Sequence, residues 1–196
     1  MNELLIKNKK EITMKYSFTK TIGLLLLPII AVGAIHLTHK NGTVQGSASS
    51  NNGDAFSVIA EEINLKISAV ENGTRSINVS IPVKSITTEN WMRDTHMRMS
   101  IFNKKFPNVE FSSRTDALIQ DGALSLDGIL TINGIEKSHS MELTLKNRGQ
   151  EYSVFGVTAV SMEAYEIAAP GMGPMKVNDL VQLKIDFQIP TADLQK

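Results

Sequence analysis

Apolar and polar residues alternate with a period of two along most of the chain after about residue 60. The first two runs, at residues 63–69 and 77–83, are separated by the pair Asn72-Gly73. Period-two alternation is typical of β-strands with one buried face, and Asn-Gly is a strong signal for a tight hairpin turn. These two runs are therefore predicted to pair as antiparallel strands.

The second half of the chain repeats this pattern in short runs separated by turn signals. Turns are expected at Asp121-Gly122, Asp127-Gly128, Asn133-Gly134 and residues 147–149. The strands predicted between and around them are 109–115, 117–120, 124–126, 130–132, 141–145, 152–162 and 181–189. About eight short strands with tight turns predict an all-β fold, an antiparallel barrel closed on itself or a sandwich.

One segment, residues 87–106, lacks the alternation. It predicts a helical insertion of one or two short helices, with Thr87 or Thr88 as N-cap, ending before Phe106-Pro107. A helical insertion between strands either forms a lid or plug over the barrel or simply covers one of its ends.

The N-terminus has the layout of an export signal. Lys15 and Lys20 precede a 13-residue apolar run over residues 22–34, and small side chains precede a cleavage site after Ala34. A periplasmic or otherwise exported location is expected. The alternative is an uncleaved anchor that keeps the protein in contact with the membrane. Met14 is a possible true start.

The predicted domain organisation follows from these patterns. Residues 1–34 are the signal peptide or anchor. Residues 35–54, rich in Gly, Ser and Asn, are a flexible segment or a ragged first strand. Residues 55–192 form the barrel domain.

Composition excludes several classes of protein. The 196 residues contain 20 basic and 20 acidic side chains, so no positive excess favours nucleic acid as a partner. Cysteine is absent, which excludes disulfides, thiol catalysis and cysteine-ligated zinc. His96 and His139 lie in no catalytic or metal-binding motif, and neither an enzymatic activity nor a cofactor is predicted.

Three segments resemble the YceI-like family of lipocalin-like barrels. The first runs from Thr87 through Arg93-Asp94-Thr95-His96-Met97-Arg98 to Phe111-Ser112-Ser113, the second covers residues 128–137, and the third covers residues 177–183. The resemblance implies a periplasmic protein that binds a polyisoprenoid lipid. The family's opening strand has no recognisable counterpart, which indicates a barrel that is short or differently closed at that end.

A lipid-binding barrel needs an apolar lumen and a polar mouth. The residues expected to line the lumen are Trp91, Phe102, Phe106, Phe111, Met162, Leu183, Ile185 and Phe187. Arg93, His96 and Arg98 are the candidates for binding an anionic head group, since guanidinium groups suit phosphate. Two alternatives stay open: the inward residues fill the barrel as a packed core, and Asp94 forms a structural ion pair with Arg98.

A different class of function is the main alternative. A packed β-sandwich would bind a protein partner through an exposed face, or Cu(I) through thioether and imidazole groups. The candidate copper ligands are the methionines near His96 and those of a Pro/Gly-rich loop: Met92, Met97, Met99, Met172 and Met175. A homodimer is also possible.

Overall fold

A computed structural model of the chain describes residues 34–38, 40–68, 72–102, 104–117, 119–172 and 174–194. The predicted export signal therefore lies outside the described residues, apart from Ala34. Within the described residues, neither helix is long and apolar enough to span a membrane.

Thirteen strands and two short helices make up the described chain. The strands are β1 (Ala34–Thr38), β2 (Gly42–Ser49), β3 (Ala55–Ala60), β4 (Glu62–Ile67), β5 (Arg75–Pro82), β6 (Ile86–Thr87), β7 (Asn108–Thr115), β8 (Gly122–Ile132), β9 (Ile135–Asn147), β10 (Glu151–Ser161), β11 (Gly171–Met172), β12 (Met175–Lys176) and β13 (Leu180–Pro190). The helices are α1 (Trp91–Ser100) and α2 (Thr191–Leu194), and 3-10 turns occupy Val83–Ser85 and Glu163–Tyr165.

Eleven of these strands form one antiparallel sheet in the order β1-β4-β5-β7-β8-β9-β10-β13-β2-β3-β6. β13 pairs with β2, and β2 pairs with β3, near one end of this order. The chain then runs from β3 through Glu61 directly into β4, which pairs with β5 near the other end. The sheet therefore curls around into an antiparallel barrel, with β1 and β6 as its edge strands. The predicted lipocalin-like barrel with a helical insertion is confirmed, and the sandwich is wrong.

Two of the predicted hairpins are present as expected. Strands β4 and β5 pair with Leu65 opposite Val79. The β8–β9 turn is made by Asn133 and Gly134, which have φ angles of 54° and 79°. Two consecutive positive φ angles are what a type I′ hairpin turn requires. Glycine is further required at position 134 because a Cβ atom there would collide with the Phe106 ring.

Two of the predicted elements are wrong. Asp127-Gly128 is no turn but part of the continuous strand β8. Gly128 faces the interior, where an added Cβ would lie 2.6 Å from the Phe111 ring, so this glycine permits close approach of β7 rather than a reversal. Residues 117, 119 and 120 are not in a strand.

The barrel begins earlier than predicted. Residues 34–49, assigned to the signal's end and to a flexible segment or ragged first strand, contain β1 and β2. The sheet therefore starts ahead of the predicted boundary at residue 55, and the barrel has an opening strand after all. Gly46 and Ala48 of β2 are buried and alternate with Ser47, which is exposed.

Candidate functional site

The barrel interior contains both a packed core and an open cavity. The core includes Leu145, Tyr152, Phe187 and Ile189, none of which lines the cavity. The cavity has a volume of about 810 Å³ and lies beneath α1. Packed core and pocket, the two alternatives for the inward residues, are thus both present in one barrel.

Small side chains on the β2–β3 hairpin make room for the cavity. Gly46, Ala48, Ala55 and Ala60 all line it. A Cβ atom at Gly46 would have Leu183 Cδ2 at 3.5 Å, so larger side chains here would project into the open space. The remaining wall is supplied by branched and long apolar residues of β8, β10 and β13, among them Leu130, Ile132, Val160, Val181 and Leu183.

The cavity lining carries few polar side chains, and three of them lie on or just before α1. These are Thr88, Arg93 and His96; Ser50 and Asp54 lie at the β2–β3 turn. The Ser50 hydroxyl donates to the Asp54 carbonyl at 3.1 Å. An apolar chamber with polar groups at its mouth can take up an amphipathic molecule.

Helix α1 is held over the cavity by its first turn. The Asn90 side chain caps the helix, accepting hydrogen bonds from the backbone N–H groups of Met92 and Arg93, both at 3.1 Å. The predicted N-caps, Thr87 and Thr88, instead lie in and just after β6. Both threonines donate to Asp94, one turn into the helix.

Asp94 joins α1 to β6 through three hydrogen bonds. Its carboxylate accepts from the Thr87 hydroxyl at 2.7 Å and from the backbone N–H and hydroxyl of Thr88, both at 2.6 Å. Burial raises the pKa of the Asp94 carboxyl, but these bonds and the charge of Arg98 outweigh burial and hold that pKa below its ordinary value. Asp94 is therefore a buried, charged anchor.

The two arginines of α1 have different environments. Arg93 lines the cavity, and its guanidinium carbon lies 5.8 Å from the centre of the Phe56 ring. Arg98 donates to the carbonyls of Lys84 and Ile86, at 3.2 and 3.1 Å. Of the predicted Asp94–Arg98 ion pair, only the attraction between the two charges is present in the described structure, because each side chain hydrogen-bonds to the segment 84–88.

Family comparison agrees with this geometry. The YceI-like domain matches residues 9–189 of the sequence. The chain belongs to the YceI-like family. No curated protein sequence matches it.

Solved structures show the same YceI-like fold. A polyisoprenoid-binding domain from Saccharophagus degradans has a TM-score of 0.67 at 11% identity, covering 81% of this chain and 98% of its own. BcnA from Burkholderia cenocepacia has a TM-score of 0.59 at 19% identity, covering 74% and 96%. The YceI protein of Campylobacter jejuni has a TM-score of 0.52 at 16% identity, covering 97% and 98%. At these identities the likeness establishes the fold alone.

Only some of the residues predicted for the site line the cavity beneath α1. Phe102, Met162 and Leu183 line it, as do Arg93 and His96 of the predicted mouth. The other predicted residues lie elsewhere: Trp91, Phe106, Phe111, Ile185, Phe187 and Arg98.

Each of these other residues has a definite place. Trp91 is 77% exposed on the outer side of α1. Phe106 packs against the β8–β9 turn at Gly134. Phe111 and Phe187 belong to the buried core, and Ile185 packs against that core. They face the interior as predicted, but do not line the cavity.

The sequence-based site included Arg93 and His96 of α1 but omitted the β2–β3 hairpin and two residues at the helix, Thr88 and Met97. Ala48 and Ala60 line the cavity, as do Thr88 and Met97. Alternation of small and polar residues in β2 was the available signal, whereas its Gly and Ser content left a flexible segment and a ragged first strand as equal alternatives.

The copper hypothesis stays untested. Met97 is buried, whereas Met92 and Met99 are exposed. The side chains of Met172 and Met175 lie outside the described part of the chain. No group of three or more His, Cys, Asp or Glu residues in the described residues is placed to hold a metal ion.

Proposed function

We propose that this YceI-like protein is an exported carrier that sequesters an amphipathic lipid, of the isoprenoid class, in the cavity beneath α1 without transforming it. The export part of the proposal is supported by the basic residues and apolar run at the N-terminus. The N-terminal mass of the protein recovered from the cell envelope tests it, and a cut after Ala34 would remove one residue of β1.

The cavity is the observation that carries the proposal. Its volume, about 810 Å³, lies within the ~300–1,000 Å³ typical of small-molecule sites. Burying about ten methylene groups of a lipid chain contributes ~8 kcal/mol before the cost of association and ordering. Apolar burial alone therefore gives useful affinity. The packed core below Leu130 and Leu183 limits how deep the chain reaches.

The head group is proposed to lie at Arg93 and His96. Both line the cavity, and both are exposed on α1, so they can meet the polar end of a lipid at the mouth. The buried Thr88 also lines the cavity. Arg98 is left out of this role because its guanidinium already donates to two backbone carbonyls.

The first test is native mass spectrometry of the protein purified from its own cell envelope. We expect a complex with one lipid per chain, identified after organic extraction. An apo mass alone is also what a ligand lost during purification would give. Incubation with a polyprenyl phosphate must then give a one-to-one complex. If neither preparation binds, the carrier function is rejected.

The second test separates the two arginines. Arg93→Gln should lower the affinity for a polyprenyl phosphate about tenfold while leaving that for the matching neutral polyprenol unchanged, because a charged hydrogen bond is worth ~1.5–3 kcal/mol. Competition between the two lipids measures the ratio.

Arg98→Gln is the matched control at a position five residues along the same helix. It should lower the thermal midpoint through loss of its carbonyl bonds and leave the lipid preference unchanged. An unchanged preference in Arg93→Gln would overturn the head-group assignment.

A further inference from the structure

Helix α1 exposes large apolar side chains on the side away from the barrel. Trp91, Met92 and Met99 are 77%, 63% and 71% exposed, whereas Met97 is 7% exposed. Positions 92 and 99 are separated by about two helical turns and therefore lie on one face. A surface helix ordinarily turns polar residues outward. The outer face of α1, defined by Trp91, Met92 and Met99, thus presents three large apolar side chains to solvent, with Trp91 about 100° around the helix axis from Met92 and the exposed Thr95 between them.

Basic residues are frequent in the segment that contains this face. The segment from residue 84 to residue 105 has five cationic side chains and two acidic ones, Glu89 and Asp94. The Asp94 carboxylate is occupied by Thr87 and Thr88. The rest of the chain differs, since residues 35–196 as a whole contain 15 basic and 18 acidic side chains. The cations of the segment are Lys84, Arg93, Arg98, Lys104 and Lys105.

We propose that the outer face of α1 docks the protein on an anionic phospholipid bilayer. Tryptophan and methionine would enter the interface between head groups and acyl chains, while the exposed Lys84, Lys104 and Lys105 bind lipid phosphates. The acidic remainder of the barrel would orient this end toward a negative surface. A bilayer surface accommodates both the apolar side chains on the outer face of α1 and the nearby cations.

Docking in this orientation has a consequence for the cavity. The inner side of the same helix lines it through Arg93, His96 and Met97. The mouth would therefore lie at the bilayer surface, where a lipid can enter without its chain crossing water. This consequence rests on the proposed carrier function, whereas the docking itself does not.

Trp91 provides the readout, because it is the only tryptophan in the sequence. The full-length chain is titrated with vesicles of phosphatidylcholine alone and of phosphatidylcholine mixed with phosphatidylglycerol. We expect a blue shift of Trp91 emission and quenching by brominated lipid in the anionic vesicles, both weakened by salt. Trp91 reports on α1 itself, so attachment of the chain through residues 1–33 does not produce the same signal.

Two pairs of variants test the surface. Met92→Gln with Met99→Gln should weaken the Trp91 response about tenfold in lipid concentration. The matched control is Val157→Gln with Leu180→Gln, since those side chains are 55% and 60% exposed and lie on strands β10 and β13. The control should respond as the wild type does.

The charge requirement is tested in the same assay. Lys104→Gln with Lys105→Gln should weaken binding to anionic vesicles. Lys66→Gln with Lys146→Gln removes the same charge from β4 and β9 and should have little effect.

Several outcomes would overturn the proposal. An unchanged Trp91 spectrum with both vesicle types excludes docking, and equal responses to neutral and anionic vesicles exclude the charged surface. A concentration-dependent blue shift without vesicles, accompanied by a dimer in solution, would assign the face to a second copy of the chain.

Failure of docking is distinguishable from failure of the carrier function. Uptake of a polyprenyl phosphate from detergent solution should be normal in the Met92→Gln, Met99→Gln variant. If Trp91 of the wild-type chain enters vesicles but the chain takes up no lipid, the docking proposal stands and the carrier function is rejected.

Discussion

Leu183→Trp is expected to abolish lipid uptake while the barrel stays folded. Leu183 faces inward from β13 and lines the cavity, opposite Gly46 in the register of β2. The indole would take the space of about four methylene groups of ligand, each worth ~0.8 kcal/mol, so affinity should fall about a hundredfold or more. Titration with a polyprenyl phosphate measures the loss, and circular dichroism with a thermal midpoint measures the fold.

Leu180→Trp is the matched control for this variant. It makes the same substitution on the same strand, at a position that is 60% exposed. Its lipid uptake should equal that of the wild type. Normal uptake by Leu183→Trp would contradict the assignment of the cavity as the binding site.

Ile185→Trp would be a poorer test, although the alternation places residues 183 and 185 on the same face. Ile185 packs against the core and does not line the cavity. A tryptophan there would overpack the interior at a cost of about 1–3 kcal/mol, so reduced uptake would be confused with loss of stability.

The comparison of these two positions shows what alternation can predict. A period of two tells which residues face the interior, and Phe111, Leu183 and Phe187 all do. It does not tell how far along the barrel axis each residue lies. Depth depends on strand register and on the size of facing side chains, such as the glycine at position 46, and both are set by tertiary pairing.

The first strand of the β2–β3 hairpin was predicted only as one of two alternatives, for a related reason. Strand β2 has small residues, Gly46 and Ala48, at its buried positions, where hydrophobic patterning looks for large ones. Local propensity disfavours Gly and Ala in strands, so the segment resembled a linker. The open space of the cavity explains why small residues lie there.

The helical insertion was located correctly, but its attachment to the barrel was not. Thr87 and Thr88 were assigned as caps, whereas Asn90 caps α1 and the threonines bind Asp94. Side-chain bonds between β6 and the helix depend on how the chain turns at Glu89, which has a φ of 58°. A positive φ at a glutamate is not predictable from the sequence pattern.

The second large effect is expected at this attachment: Asp94→Ala should destabilise the protein and loosen α1. The substitution leaves the buried Thr88 N–H and two threonine hydroxyls without their acceptor, at a cost of about 2–4 kcal/mol. Hydrogen exchange should rise in α1 more than in β8 or β9. If the carrier function holds, bound lipid should also dissociate faster, because α1 covers the cavity. Chemical denaturation and exchange mass spectrometry measure these effects.

The charge of Asp94 adds a pH dependence with a definite sign. Because its folded-state pKa lies below the ordinary value of 3.8, its stabilising contribution is complete above that value and is lost as the pH falls through the folded pKa. Asp94→Asn keeps the shape of the side chain and one acceptor but removes the acid-dependent part of its contribution to stability. Asp116→Ala, which removes an exposed carboxylate, is the control. If Asp94→Ala unfolds at the same denaturant concentration as Asp116→Ala, the anchoring role of Asp94 is rejected. Loss of the Asp94 carboxylate would then cost no more stability than loss of an exposed one.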